Sequence, residues 1–289
     1  MSAPQFRFAE SVDDATASLM EHGDDARLVC GGTALAILLR QRLIAPAYLI
    51  GVGRIRELQA IDVLANGTLR LGAAVRVRDA ELDEKVHRWQ ALGEALAHVA
   101  TPRIRNMATI GGGIAHADPA QDPMTALTAL NATVRVAGQR SRDVPIGEFF
   151  LDYYETALED GEMVAGVDVP PLAARTGSAY VKFLPRSVED YGTVTAAATV
   201  VLDPSGAIID ATLALGAVHA TPVAPPVAGA LRGHEPSPQV FREVAEMARE
   251  RVDPIDDVRG SAEYKRDMAV VFGRRALELA SQRATAVPV

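Results

Sequence analysis

The stretch LVCGGTALAILLRQRLIAPAYLIGV, residues 28–52, decides the fold. Arg27 to Cys30 reads as a short strand, Gly31-Gly32 as a turn, and Thr33 as the start of a helix with apolar positions Leu35, Leu38 and Leu39, running toward Arg42. Pro46 is placed to stop that helix, and Tyr48 to Val52 returns as a strand. The result is a βαβ unit with a double glycine at its first turn. Upstream, Phe6 to Ala9 reads as another strand. Ser11 with Asp14 three residues on gives the capping-box spacing for a helix striped by Val12, Ala15 and Leu19, which Gly23 is placed to end.

Downstream the pattern changes. AIDVLA and TLRLGA alternate as strands and are joined by Asn66-Gly67, a strong hairpin signal, so antiparallel sheet begins near Ala60. A helix is expected around Trp89 to Val99. In TPRIRNMATIGGGIAHADPAQDP, residues 101–123, glycine and proline argue against long regular structure. A helix near Met124 to Leu130 and strands at Thr133 to Ala137 and Met163 to Val169 follow. Pro170-Pro171 and the ARTG after them mark the best boundary. Beyond it lie expected strands at Ala179 to Leu184, Val194 to Leu202 and Ile208 to Val218, the last two joined by Asp203-Pro204-Ser205-Gly206. Two long helices close the chain. One has Ser237 at its N-cap and Pro238 at N1; the other follows Ser261 with apolar Met268, Val271, Phe272, Ala276 and Leu279.

A chain of 289 residues is ample for a buried core and suggests about two domains. With 37 acidic against 29 basic side chains the net charge is −8, and no Lys/Arg run offers the patch a nucleic acid needs. Cys30 is the only cysteine, which rules out disulfides within the chain, an iron–sulfur cluster held by this chain and a multi-cysteine zinc site. A reducing, cytoplasmic setting fits best. The N-terminal segment is too polar for a signal peptide, and apolar runs such as VTAAATVVL, residues 194–202, are too short to span a membrane, so a soluble protein is expected.

A strand, a Gly-Gly turn and a helix opening at Thr33 direct backbone N–H groups and the positive end of a helix dipole outward, which suits a phosphate. The plain alternative is a tight turn and nothing more. A second cluster, Gly111-Gly112-Gly113, sits between Thr109 and His116-Ala117-Asp118-Pro119, and two amide-rich loops could clasp a pyrophosphate. Neither matches G-x-G-x-x-G or the P-loop, so a Rossmann site and a nucleotide triphosphatase are disfavoured. His116, Asp118 and Asp122 lack a metal-ligand pattern, since His22, His87, His98, His219 and His234 are scattered; no G-x-S-x-G elbow occurs. Tyr191, in a loop before a strand, is either a functional aromatic or a packing residue.

Four segments resemble one family: LVCGGTAL (28–35), MATIGGGIAHADPAQD (107–122), VKFLPRSVEDYGTV (181–194) and RGSAEYKRDMAVVFGRRAL (259–277) are similar, in order and spacing, to signatures of the FAD-binding medium subunit of molybdenum hydroxylases, the carbon monoxide and xanthine dehydrogenase type. The resemblance implies an α+β fold of the vanillyl-alcohol-oxidase type. Residues 1–172 would form the FAD-binding domain, with subdomains of about 1–55 and 56–172, and 173–289 the C-terminal domain. It further implies that Gly31, Gly32, Thr33, Ala34 and Leu35, preceded by Cys30 where the family has a small residue, form one pyrophosphate loop. Thr109, Ile110, Gly111, Gly112 and Gly113 would form the other. Asp122 would serve the ribose side, Lys182 the flavin ring, Tyr191 the ring face, and Val164 the adenine or ring through its backbone; no residue acts as a catalytic acid or base.

The implied cofactor is FAD. The implied partners are a large molybdopterin subunit and a small iron–sulfur subunit, assembled as a dimer of heterotrimers, with NAD, a quinone or oxygen as the acceptor. This chain departs from the family at Gly113, where Asn is usual, and lacks the cysteine-bearing insertion of the benzoyl-CoA branch. The competing readings are a free-standing flavin oxidase or dehydrogenase of the same fold and a cofactor-free scaffold subunit.

Overall fold

The structure is a computed structural model that describes residues 3–184, 187 and 190–286. Pro185, Arg186, Val188 and Glu189 of the third family-like segment lie outside the described residues, as do Met1, Ser2 and residues 287–289. The first region runs β1 (Gln5–Phe8), α1 (Val12–His22), β2 (Ala26–Val29), α2 (Thr33–Arg40) and β3 (Tyr48–Gly51), and forms a parallel sheet in the order β1-β3-β2. The Ser11 hydroxyl caps α1 by accepting from the Asp14 N–H at 3.1 Å, and Gly23 closes it at φ 50°. Ala15 is fully buried, with Val12 and Leu19 packed beside it. Pro46 is not what stops α2. Arg42 takes a left-handed φ of 57°, with Arg42 N–H bonded to Leu39 O (3.1 Å) and Leu43 N–H to Leu38 O (3.0 Å). That pair of bonds is a Schellman ending, completed before the proline is reached.

The second region contains β4 (Ile61–Val63), β5 (Leu69–Gly72), α3 (Val77–Leu82), α4 (Gln90–Ala97), α5 (Pro102–Arg105), α6 (Ile110–His116) and α7 (Asp122–Ala129). It continues with β6 (Thr133–Ala137), β7 (Arg142–Pro145), α8 (Ile146–Phe149), β8 (Phe150–Asp152), β9 (Glu155–Thr156) and β10 (Met163–Val169). Five strands form an antiparallel sheet in the order β4-β5-β10-β6-β7. At the β4–β5 hairpin Gly67 has φ 85° and donates to Leu64 O at 2.8 Å, while Asn66 Oδ1 accepts from Thr68 N–H at 3.0 Å. Strands β7 to β9 carry no sequence signal strong enough to have been expected. The glycine triplet is a correction: Gly111-Gly112-Gly113 lies in the first turn of α6, not in a loop.

The third region is β11 (Thr176–Phe183), β12 (Val194–Leu202) and β13 (Ile208–Gly216), an antiparallel sheet, followed by α9 (Val227–Leu231), α10 (Pro238–Ala245) and α11 (Ala262–Ala286). Only α11 is long; α10 has eight residues, capped by Ser237 as its sequence indicates. The buried seam of α11 includes Ala269, Phe272, Ala276, Leu277, Ala280 and Ala284. Met268, Val271 and Leu279 lie beside it, partly buried. Small residues take the seam because the helix lies almost on the strand: a β-carbon on Gly177 would stand 2.0 Å from Ala280 O. One apolar core underlies the first two regions and a second lies between the third sheet and α11. Among the described residues no helix is long and apolar enough to cross a membrane.

Candidate cofactor site

The two glycine segments, about eighty residues apart, meet in space. A β-carbon on Gly31 would lie 2.0 Å from Met107 O and 3.0 Å from Ala108 Cα, so only glycine lets these backbones touch. Thr109 is antiparallel-bridged to Arg76 and helps to hold the Cys30 thiol, which burial pushes above its usual range. Gly32, at φ 69°, is the N-cap of α2 and has no side chain to cap it. The first bond outside the helix's own is Ala36 N–H to Gly32 O at 2.9 Å, which leaves the amides of Thr33, Ala34 and Leu35 facing outward. Residues 30–35 are all half-buried, open to a ligand yet sheltered from bulk water. This turn can take an anion.

The α6 turn is built differently. Ile110 N–H donates to Val75 O and Gly111 N–H to Ala73 O, both at 2.9 Å, and Gly113 N–H closes on Thr109 O at 3.0 Å. Only the Gly112 amide, exposed and held by its Thr109 cap at a long 3.3 Å, is loosely engaged. The two segments are therefore not equivalent amide loops. Gly111 is there for packing, since its β-carbon would meet that of Ala73 at 2.4 Å. Gly113 has no left-handed backbone; its β-carbon would meet Gln121 Oε1 at 2.7 Å.

Asp122 and Lys182 form one buried pair across α7 and β11. Lys182 Nζ is 3.0 Å from the Asp122 carboxylate, with the two side chains 1% and 6% exposed, and also donates to His98 O at 3.2 Å. Tyr180 donates its hydroxyl to the same carboxylate. Burial pushes the Asp122 carboxyl up, opposed by the Lys182 charge and the Tyr180 hydrogen bond; burial and the Asp122 charge push the Tyr180 hydroxyl well above its usual range. Both oxygens of Asp122 are thus engaged by protein. Tyr180 escaped the sequence reading, although it alternates with Lys182 on one face of β11.

At the far end of α6 lies an open cleft of about 300 Å³ whose walls include Asp118, Tyr153, Tyr154, Tyr191 and Arg259. Helix α6 ends at Ala117 (φ 51°), whose carbonyl accepts from Tyr154 N–H at 3.2 Å. The His116 and Tyr154 rings stand 5.2 Å apart, and burial pushes the His116 imidazole down. Tyr191 is half-exposed at the mouth; burial, then the Asp118 charge, pushes its hydroxyl up to about 12. Val164 is buried in β10, one residue before a bulge against β6. Tyr153, Tyr154 and Arg259 come from segments that no local motif connects to Tyr191. Seven helical residues rise about 10 Å, so α6 spans from the anion-receptive turn to an aromatic cleft. An elongated cofactor with an anionic middle and a planar end suits that arrangement.

Residues 4–172 match the family model of the FAD binding domain in molybdopterin dehydrogenase, and residues 179–280 that of the CO dehydrogenase flavoprotein C-terminal domain. The chain belongs to the FAD-binding medium subunits of the molybdenum hydroxylases. The carbon monoxide dehydrogenase medium chain of Hydrogenophaga pseudoflava is 34% identical to this medium subunit, covering 98% of this chain and 99% of that one. The glyceraldehyde dehydrogenase medium chain of Sulfolobus acidocaldarius is 31% identical, over 96% and 99%. Among solved structures, carbon monoxide dehydrogenase from Hydrogenophaga pseudoflava lacking the Mo-pyranopterin moiety superposes with a TM-score of 0.91 at 33% identity, covering 98% of each chain. Quinoline 2-oxidoreductase from Pseudomonas putida 86 gives 0.91 at 30%, again over 98% of each. The medium subunit is a flavoprotein component of an oxidoreductase, and its cofactor is FAD.

Proposed function

We propose that this subunit is an electron exit, receiving electrons from iron–sulfur clusters on a small partner chain and delivering them to NAD, a quinone or oxygen. The observation that carries the reading is the full-length correspondence to medium chains of oxidoreductases in a chain whose single cysteine, Cys30, leaves it unable to ligate a cluster through several thiolates. FAD supplies the chemistry of accepting electrons singly and releasing a pair.

This chain's own residues bind and orient. In this reading the outward amides of Thr33, Ala34 and Leu35, reached past Cys30, Gly31 and Gly32, hold the pyrophosphate. Thr109 and Ile110 fix the α6 turn beside them, Gly111 and Gly113 allow it close, and Gly112 offers its amide. Asp122 and Lys182 form the buried floor, Val164 contributes backbone from β10, and Tyr191 covers the ring. The functional division falls after residue 172. A molybdopterin-bearing large subunit completes the complex, in the reducing interior of the cell, and a dimer of heterotrimers is the proposed assembly.

Affinity purification from cells that express the whole locus tests the reading. It is expected to return one large and one small, cysteine-rich chain with this one. Stripping FAD from that complex should let the substrate that the complex hydroxylates still reduce the clusters while the external acceptor stays oxidised. Recovery of the bare chain alone, or undiminished acceptor reduction without FAD, overturns it.

A further inference from the structure

We propose that Arg259 is a positioning residue that backs the ring of Tyr191 and so fixes one wall of the flavin pocket. The inference rests on the reading of Tyr191 as the ring-face residue. The Arg259 guanidinium carbon lies 5.8 Å from the centre of the Tyr191 ring, within the range of a cation–π contact. Its Nη2 is 3.2 Å from Asp190 Oδ1, the same oxygen that accepts from Tyr191 N–H at 2.7 Å. One arginine therefore touches the ring of Tyr191 and grips the carboxylate that holds its backbone.

Arg259 is itself held in place. It sits on the strap between Val252 and α11, where Asp257 and Gly260 pair as an isolated antiparallel bridge. Asp257 Oδ1 is 2.8 Å from Lys265 Nζ, and Lys265, 3% exposed on α11, also donates to Ile255 O at 2.8 Å. The second oxygen of Asp257 lies 3.7 Å from Arg259 Nη1. A chain of contacts thus runs from the long C-terminal helix through Lys265, Asp257 and Arg259 to Tyr191. Lys265 and Asp257 pin the strap without help from the guanidinium, whose nearer partner, at 3.2 Å, lies on the tyrosine segment. A free tyrosine loop would lose rotational freedom each time a flavin bound; a ring already backed by Arg259 has less to lose.

The test uses the full-length, FAD-loaded protein in the assembly in which it purifies, and reads flavin emission, which an electron-rich ring held on the flavin quenches, together with the FAD dissociation constant. Tyr191→Ala should raise emission. Arg259→Ala should raise it in the same direction and weaken FAD roughly two- to fivefold, the worth of a partly exposed cation–π contact. The double variant should match Tyr191→Ala alone, and Arg259→Lys should restore low emission. If Arg259→Ala fails to fold, Arg259→Gln, which keeps length and loses charge, takes its place. Wild-type emission and affinity in Arg259→Ala, with Tyr191→Ala altered, overturn the role of Arg259 and leave that of Tyr191 standing. No change in Tyr191→Ala overturns both.

Discussion

Gly31 and Met107 are in backbone contact: a β-carbon on the glycine would stand 2.0 Å from the methionine carbonyl oxygen. That contact sets the anion-receptive turn of α2 against the α6 turn, and the atom in the way is main chain, with no rotamer to give.

Gly31→Ala should therefore part the two turns. We expect a loss of about 1–3 kcal/mol in stability, the usual cost of overpacking, and weakened FAD retention. Gly53→Ala is the control, because its β-carbon would meet Cys30 Sγ at an ordinary 3.6 Å. Thermal unfolding and FAD titration of both variants check this; equal behaviour would show that the turns need not touch.

The Asp122–Lys182 pair makes a different demand. Lys182→Met leaves a buried carboxylate without its cation, which costs about 3–5 kcal/mol, and adding Asp122→Asn should recover much of it. The pH sign follows from burial, which raises the Asp122 carboxyl, while the Lys182 charge lowers it. With the lysine gone the upward shift is opposed chiefly by the Tyr180 hydrogen bond and so grows; the stability Asp122 contributes is complete below about pH 4 and is lost as pH rises through the folded value. The deficit of Lys182→Met should grow from acid toward neutral pH in urea unfolding. A deficit independent of pH would mean that lost packing, not the stranded charge, is responsible.

Tyr191 should be visible in an alkaline ultraviolet titration. Its hydroxyl is pushed up to about 12, against an ordinary value near 10. Its contribution to stability is complete below about 10 and lost as pH rises through 12. Tyr191→Phe should diminish the late component, which Tyr180 and Tyr154 share because their hydroxyls are raised too, and leave the early one unchanged. Loss of an early component would show that the ring is not sheltered.

Much of the scaffold is legible because its signals are local. Ser11, Gly23, Asn66-Gly67 and Ser237-Pro238 each set a cap or turn with their nearest neighbours, and the structure uses each one. The glycine triplet misleads for the same reason. Glycine propensity argues for a loop, whereas bonds from Ile110, Gly111 and Gly113 to Val75, Ala73 and Thr109 hold residues 110–113 in a helical turn. In α11 periodicity finds the helix, yet the closeness of Gly177 moves the seam to alanines. The cleft is the least legible part, because Tyr154, Tyr191 and Arg259 come from three distant segments brought together only by tertiary packing. Tyr180 could have been found, since strand alternation places it on the face of Lys182.

Gly113 stands where the resemblance to the medium subunits leads one to expect asparagine. Asparagine there could donate its amide to a cofactor oxygen, and we expect Gly113→Asn to tighten FAD about tenfold, roughly 1.4 kcal/mol. The objection that glycine is required by a left-handed backbone does not apply, because Gly113 is helical without a positive φ. Replacing a helical glycine by alanine stabilises the turn by roughly 0.5–1 kcal/mol, and replacing it by asparagine stabilises it less. What stands in the way is Gln121 Oε1, 2.7 Å from the new β-carbon and part of a weak 3.4 Å bond to Gly113 O. That amide is the free end of a flexible side chain and can turn aside. Gly113→Ala separates the effects: it displaces Gln121 but brings no donor. FAD titration into the three apo-proteins should show tightening in the Asn variant alone. Equal tightening in both variants would assign the gain to a stiffer helix, and weakening in both would show that Gln121 cannot yield.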